Sequence, residues 1–142
     1  MSASTHSHDL EEALAFKPRF DATGLIVCVA TDADSGEVLM VAYMNDEALR
    51  KTIATGEAWY YSRSRRALWR KGEVSGQTQR VVEMRTDCDQ DAVWIRVAQV
   101  GAACHTGRRT CFYRKLEADG SGAKLVFVAA ERLFDPENIY RK

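Results

Sequence analysis

The sequence predicts an α+β fold, a mostly antiparallel sheet carrying one main helix, and three observations point there. Short β-rich runs outnumber helical stretches, pairs of those runs flank turn-forming clusters, and one segment carries both the start and the stop signals of a helix. At 142 residues the chain is long enough for one well-buried domain and too short for two of ordinary size. A single domain over residues 1–142 is therefore expected.

Residues 1–8, polar and holding His6 and His8, are expected to form a flexible tail. DLEEALAF, just before Pro18, predicts a short helix stopped by the proline. LIVCVAT and EVLMVAYM surround DADSG, a turn-forming cluster between two β-rich runs, and predict a hairpin. Cys28 in the first run reads as a small buried hydrophobe. Asn45 is the expected N-cap of a helix over DEALRKTIAT, with Asp46 and Glu47 complementing the dipole in its first turn and Gly56 ending it. From Trp59 onward AWYYSRS, TQRVVEMRT and DAVWIRVAQV predict strands, punctuated by Gly72, Gly76 and Gly101. CFYRKLE and AKLVFVAAE around ADGSG predict a last hairpin before a polar tail that includes Pro136. No internal repeat or low-complexity linker divides the chain.

Lysines plus arginines equal aspartates plus glutamates at 20 each, so no global field draws the protein toward nucleic acid or an anionic membrane. The longest apolar run, Val38 to Met44, falls far short of the roughly 20 residues that cross a bilayer, and MSASTHSHD makes no signal-peptide core. A cytosolic protein is expected. In a reducing compartment Cys28, Cys88, Cys104 and Cys111 point to metal ligation, catalysis or packing rather than to disulfides.

Three motifs carry chemistry. TDCDQD crowds Asp87, Asp89 and Asp91 around Cys88, and carboxylates this close raise one another's pKa unless a positive charge sits among them. If residues 87–97 are extended, the three aspartates share a face with Val93, Ile95 and Val97 while Cys88 points to the other. Hard oxygen ligands suit magnesium or calcium, and a soft thiolate suits zinc. An EF-hand is excluded, because Ala92 and Ala98 stand where that loop needs glycine and glutamate. An exposed acidic turn without an ion stays open. CHTGRRTC adds Cys104 and Cys111, which with Cys88 offer three thiolates, the pattern of a catalytic zinc with an open fourth position. His105 adjoins Cys104, so a proton-transfer role suits it better than ligation. Three unrelated buried thiols are the alternative. SRSRRALWRKG gathers Arg63, Arg65, Arg66, Arg70 and Lys71 without an acid. It reads as a phosphate clamp, as an RNA-binding face with Tyr60, Tyr61 and Trp69 stacking bases, or as a solvated strand face.

Taken in order, GEVLMVAYMNDEAL, YYSRSRRALWRKGEVSG and DCDQDAVWIRVAQVGAACHTGRRTCFY resemble the phosphoribosyl-AMP cyclohydrolases of histidine biosynthesis, over roughly residues 19–115. The resemblance implies an intertwined homodimer with zinc sites built from both chains, zinc on Cys88, Cys104 and Cys111, and magnesium on Asp87, Asp89 and Asp91. It implies hydrolysis of the N1–C6 bond of an adenine ring in phosphoribosyl-AMP, the third step of the pathway, with no redox cofactor. On that reading His105 is the candidate acid/base, and Arg63, Arg65 and Arg66 are the candidate phosphate ligands. Gln77 departs from the pattern, since relatives often carry histidine or asparagine there. The part after residue 116 lies outside the resemblance, and no room is left for the pyrophosphohydrolase domain fused to some relatives, so a monofunctional protein is expected. A zinc-stabilised RNA-binding module is the rival, disfavoured by zero net charge and by three aspartates beside the metal.

Overall fold

The computed structural model describes residues 11–140, with side chains to residue 138. The expected helix over residues 9–16 begins outside this range; residues 11–12 are helical and 13–16 are not. The flexible-tail expectation for residues 1–8, with His6 and His8, also lies outside it.

The first hairpin forms as the sequence requires. Strand β1 (Ile26–Asp32) and strand β2 (Val38–Met44) pair antiparallel, with a bulge at Ala30/Thr31. Asp32 shapes the turn, its Oδ2 accepting from the backbone N–H groups of Asp34 and Ser35. Helix α1 (Asp46–Thr55) follows, capped by Asn45, whose Oδ1 accepts from the Ala48 N–H. Gly56 ends it at φ 74°, left-handed backbone that glycine adopts without a Cβ penalty. Strands β3 (Trp59–Ser62) and β4 (Ala67–Arg70) make a small antiparallel hairpin. Strands β5 (Gln79–Thr86) and β6 (Ala92–Gln99) make a longer one, and β7 (Arg114–Ala118) with β8 (Ala123–Phe127) makes the last. A short helix, α2 (Pro136–Tyr140), closes the described chain.

The main sheet runs β2-β1-β6-β5. Every pair in it is antiparallel except β1 with β6, which run parallel. This pair brings the 87–91 turn alongside the start of β1, because Ala92 lies opposite Val27. The core lies on one face of the sheet: Cys28 and Ala30 of β1, Leu39 of β2, and Val93, Ile95 and Val97 of β6 meet Ala48 and Leu49 of α1 and Tyr60 of β3. Cys28 is fully buried, and burial pushes its thiol up to about 12, as suits packing filler. The other face stays open. Val41, Val29 and Trp94 lie in one cross-strand row there, with Val41 45% and Trp94 36% exposed. Among the described residues no helix is long and apolar enough to cross a membrane.

Candidate functional site

The aspartates sit at one end of β6. Residues 87–91 are the turn of the β5–β6 hairpin rather than an extension of the strand, so the alternating-face geometry expected of them does not form. The turn gathers the carboxylates instead. Asp87 Oδ1 accepts from the N–H groups of Asp91 and Ala92, and Gln90, at φ 60°, donates its N–H to the Asp87 carbonyl. One carboxylate oxygen from each of Asp87, Asp89 and Asp91 falls within 4.8 Å of the others. A hydrogen bond with Asp89, then one with Asp87, pushes the Asp91 carboxyl up to about 6. For Asp87 burial pushes upward, but hydrogen bonds from Asp91, Asp89 and the turn N–H groups outweigh it and hold that carboxyl low. The cluster thus prefers to keep a positive charge, proton or cation, among its oxygens. This donor set of clustered hard oxygens fits a hard divalent cation such as magnesium or calcium. Cys88 is exposed in the same turn.

The other motif lies past the opposite end of the strand. Residues 104–107 fold into a tight turn, closed by Gly107 N–H to the Cys104 carbonyl at 3.0 Å and Cys104 N–H to the Arg108 carbonyl at 3.1 Å. This turn, not strand alternation, buries Cys104 and exposes His105. The Cys111 thiol faces Cys104. Burial, then the neighbouring Cys104, pushes it up to about 12, and Lys71 opposes the rise. Lys71 is 6% exposed and donates from Nζ to the Ala103 carbonyl at 2.6 Å. Burial pulls its pKa down, while the charges of Cys111 and Cys104 push it back up. Two adjacent thiols beside a buried ammonium fit a soft cation and make only part of its donor set.

Cys88 does not complete it within the chain. Strand β6 spans 8 residues, on the order of 25 Å of extended chain between the two motifs. Among the described residues the one group of three or more acidic, thiol or imidazole side chains that converges is the aspartate cluster.

His105 opens into a cleft of about 250 Å³ lined also by Arg65, Trp69, Lys71 and Ser75. Arg65 further lines a broader cleft of about 510 Å³ with Arg63, Tyr43, Tyr61 and Trp69. Arg63 stacks its guanidinium 4.2 Å over the Tyr43 ring. Arg66, at φ 52° in the β3–β4 turn, lines neither cleft. The basic stretch is thus a hairpin whose turn brings two of its three candidate arginines to cleft walls. Of the aromatic partners suggested for RNA bases, Tyr60 is fully buried and unable to stack on a ligand.

The sequence model of the phosphoribosyl-AMP cyclohydrolase family matches residues 40–113. A phosphoribosyl-AMP cyclohydrolase of Bradyrhizobium diazoefficiens is 78% identical over 139 residues, covering 98% of this chain and 99% of that one. The chain belongs to the phosphoribosyl-AMP cyclohydrolase family. One from Nitrobacter winogradskyi is 70% identical over 142 residues, with 99% and 98% covered. Membership of this cyclohydrolase family makes the chain a hydrolase.

Several residues around the candidate site carry no signal in the sequence. Lys71, one cation of the SRSRRALWRKG stretch, is buried against the Ala103 carbonyl. Gln79 is fully buried, accepts from the Tyr60 hydroxyl at 2.6 Å and donates to Gln99 at 2.8 Å. Gln99 in turn donates to the Ala102 carbonyl at 3.3 Å, tying the core to the cysteine loop. Gln77, whose contact the family pattern left open, accepts from the Ala102 N–H at 2.8 Å. Gly101 allows that approach, since a Cβ there would lie 1.8 Å from Gln77 Oε1. Gln79 opens β5, Gln99 ends β6, and Lys71 and Gln77 lie between β4 and β5, so strand periodicity gives no signal for them.

Proposed function

We propose that the chain, as a homodimer, hydrolyses the N1–C6 bond of the adenine ring of 1-(5-phosphoribosyl)-AMP to the ring-opened formimino carboxamide ribotide, the third step of histidine biosynthesis. The relatives named phosphoribosyl-AMP cyclohydrolase support the reaction. One observation carries the assembly: the thiols of Cys104 and Cys111 meet at one end of β6, while Cys88 and the three aspartates lie at the other. In an isologous pair each end can face the partner's opposite end, so the partner's Cys88 completes the thiolate set. The open face with Val29, Val41 and Trp94 supports pairing with a second copy.

The chemistry follows from the substrate. Ribosylation at N1 withdraws electrons from the ring, and C6 is the carbon that water attacks. Addition of water at C6 and breakage of N1–C6 consume one water, leaving a carboxamide at C6 and a proton to be delivered to N1. Cys104, Cys111 and the partner's Cys88 would hold zinc, which would supply Lewis acidity for attack by water near neutral pH. His105, exposed at the mouth of the cleft, carries the proton to the ring nitrogen. Arg63 and Arg65 fork onto substrate phosphate, and Trp69 offers its face to the base. Asp87, Asp89 and Asp91 would hold magnesium, which would supply positive charge for an anionic substrate.

The test is an ultraviolet assay with phosphoribosyl-AMP, backed by mass spectrometry of the product, on purified protein before and after chelation. Ring opening with the mass of one added water, lost on chelation and restored by zinc, is expected. An unaltered substrate in the presence of zinc and magnesium would sink the reading.

A further inference from the structure

The CHTGRRTC loop carries two thiols and His105, yet its backbone is held from outside the stretch that the family model matches. Leu133 donates its N–H to the Gly107 carbonyl at 2.6 Å, and Arg108 donates from Nε to the Ala130 carbonyl at 3.1 Å. The Arg108 guanidinium lies 4.3 Å from the Tyr113 ring and 5.4 Å from the Phe127 ring. It is only 9% exposed. Val128 and Ala129 both donate to the Tyr113 carbonyl, at 2.9 and 3.2 Å. The approach at Gly107 is so close that a Cβ would meet the Phe134 carbonyl oxygen at 2.2 Å, and φ there is 91°. Residues 128–134 therefore run against the loop, bonded through their backbone to Gly107 within it and to Tyr113 just past it, with one buried arginine between the two points.

We propose that residues 128–134 are a strap that positions the 104–111 loop for catalysis, with Arg108 as the side chain that fastens it. The proposal rests on the function proposed above for its catalytic consequence. The opposite side of the loop is already fixed: Arg109 pairs with Asp32 at 2.8 Å and Glu37 at 3.0 Å, and Cys111 donates its N–H to the Leu39 carbonyl at 2.7 Å. Strap and hairpin thus grip the loop from two sides, which leaves His105 and the thiols little freedom to drift from the reacting atoms. A misplacement on the order of 1 Å costs turnover more than binding.

Two variants test this beside the intact chain: removal of residues 128–142, which keeps the β7–β8 hairpin, and Arg108→Met with Arg108→Lys as its conservative partner. In both the truncated chain and Arg108→Met, amide exchange at Ala103, Cys104 and Gly107 should speed up at least about tenfold while β1 and β6 stay protected. Their kcat should fall about tenfold with KM within about twofold, and Arg108→Lys should recover part of it. Unchanged exchange overturns the strap. So does faster exchange with kcat intact, because a merely structural tie would behave that way. Should truncation unfold the chain, the arginine pair decides alone by the same two readings. An intact chain that never turns over phosphoribosyl-AMP counts against the proposed function only, and exchange then decides whether the strap holds the loop.

Discussion

Arg109 is pinned between Asp32 and Glu37, so its charge is spent on holding its own loop. The pairing has an acid dependence. The Ser35 backbone N–H does most to hold the Asp32 carboxyl below the usual range; burial opposes it, and the Ser35 hydroxyl, Arg109 and the Asp34 N–H add to it. A pKa lower in the folded than in the unfolded state gives stability that is complete above the unfolded value, about 3.9, and lost as pH falls through the folded one. Asp32→Ala should therefore destabilise by about 1–3 kcal/mol at neutral pH, judged by denaturant unfolding. The gap to the parent should narrow below about pH 4; equal gaps on both sides would remove the carboxylate as its source. His105 is the contrasting case, exposed in a cleft with no hydrogen bond or ion pair among the described residues. His105→Asn should keep metal content and KM but lower kcat by roughly a hundredfold. Full turnover in that variant would hand the proton to another group, with Lys71 next in line by position.

Local elements were legible where local chemistry decides them. Asn45 and Gly56 mark both ends of α1, and DADSG and ADGSG mark two hairpins, because caps and turns are short-range choices of backbone angle. Strand β4 was hidden inside SRSRRALWRKG, where five cations obscure the period of Leu68 and Trp69. The parallel β1–β6 pair was invisible for another reason: its partners are some sixty residues apart, and nothing in either strand's own pattern encodes the direction of a distant neighbour. The same holds for the candidate site, where residue types suggested ligands but the strand length that separates Cys88 from Cys104 needed the fold. The β3–β4 hairpin, which places Arg63 and Arg65 on cleft walls, allows a test of its own. Replacing both with methionine keeps bulk and loses the phosphate fork, so KM should rise about tenfold or more with kcat changed far less. If kcat falls instead and KM holds, the arginines act on the transition state rather than on binding.

At the scale of the whole molecule, mixing two variants tests the proposed sharing of thiols between chains. Suppose the partner's Cys88 completes the pair formed by Cys104 and Cys111. A Cys88→Ala dimer then has both sites broken, and so does a Cys104→Ala dimer. Mixed by co-refolding, the two give hybrids in which an intact Cys88 from the Cys104→Ala subunit meets intact Cys104 and Cys111 from the Cys88→Ala subunit. One site is whole and its twin lacks two ligands. Random pairing makes half of the dimers hybrid, each with one working site in two, so activity should return to about a quarter of the parent value by the symmetry of an isologous pair. Two inactive proteins would thus restore each other without any new residue. If each thiol set were closed within one chain, every subunit of the hybrid would still lack a ligand and the mixture would stay inactive. The length of β6 argues against that closure, because the turn holding Cys88 and the loop holding Cys104 leave opposite ends of one rigid strand.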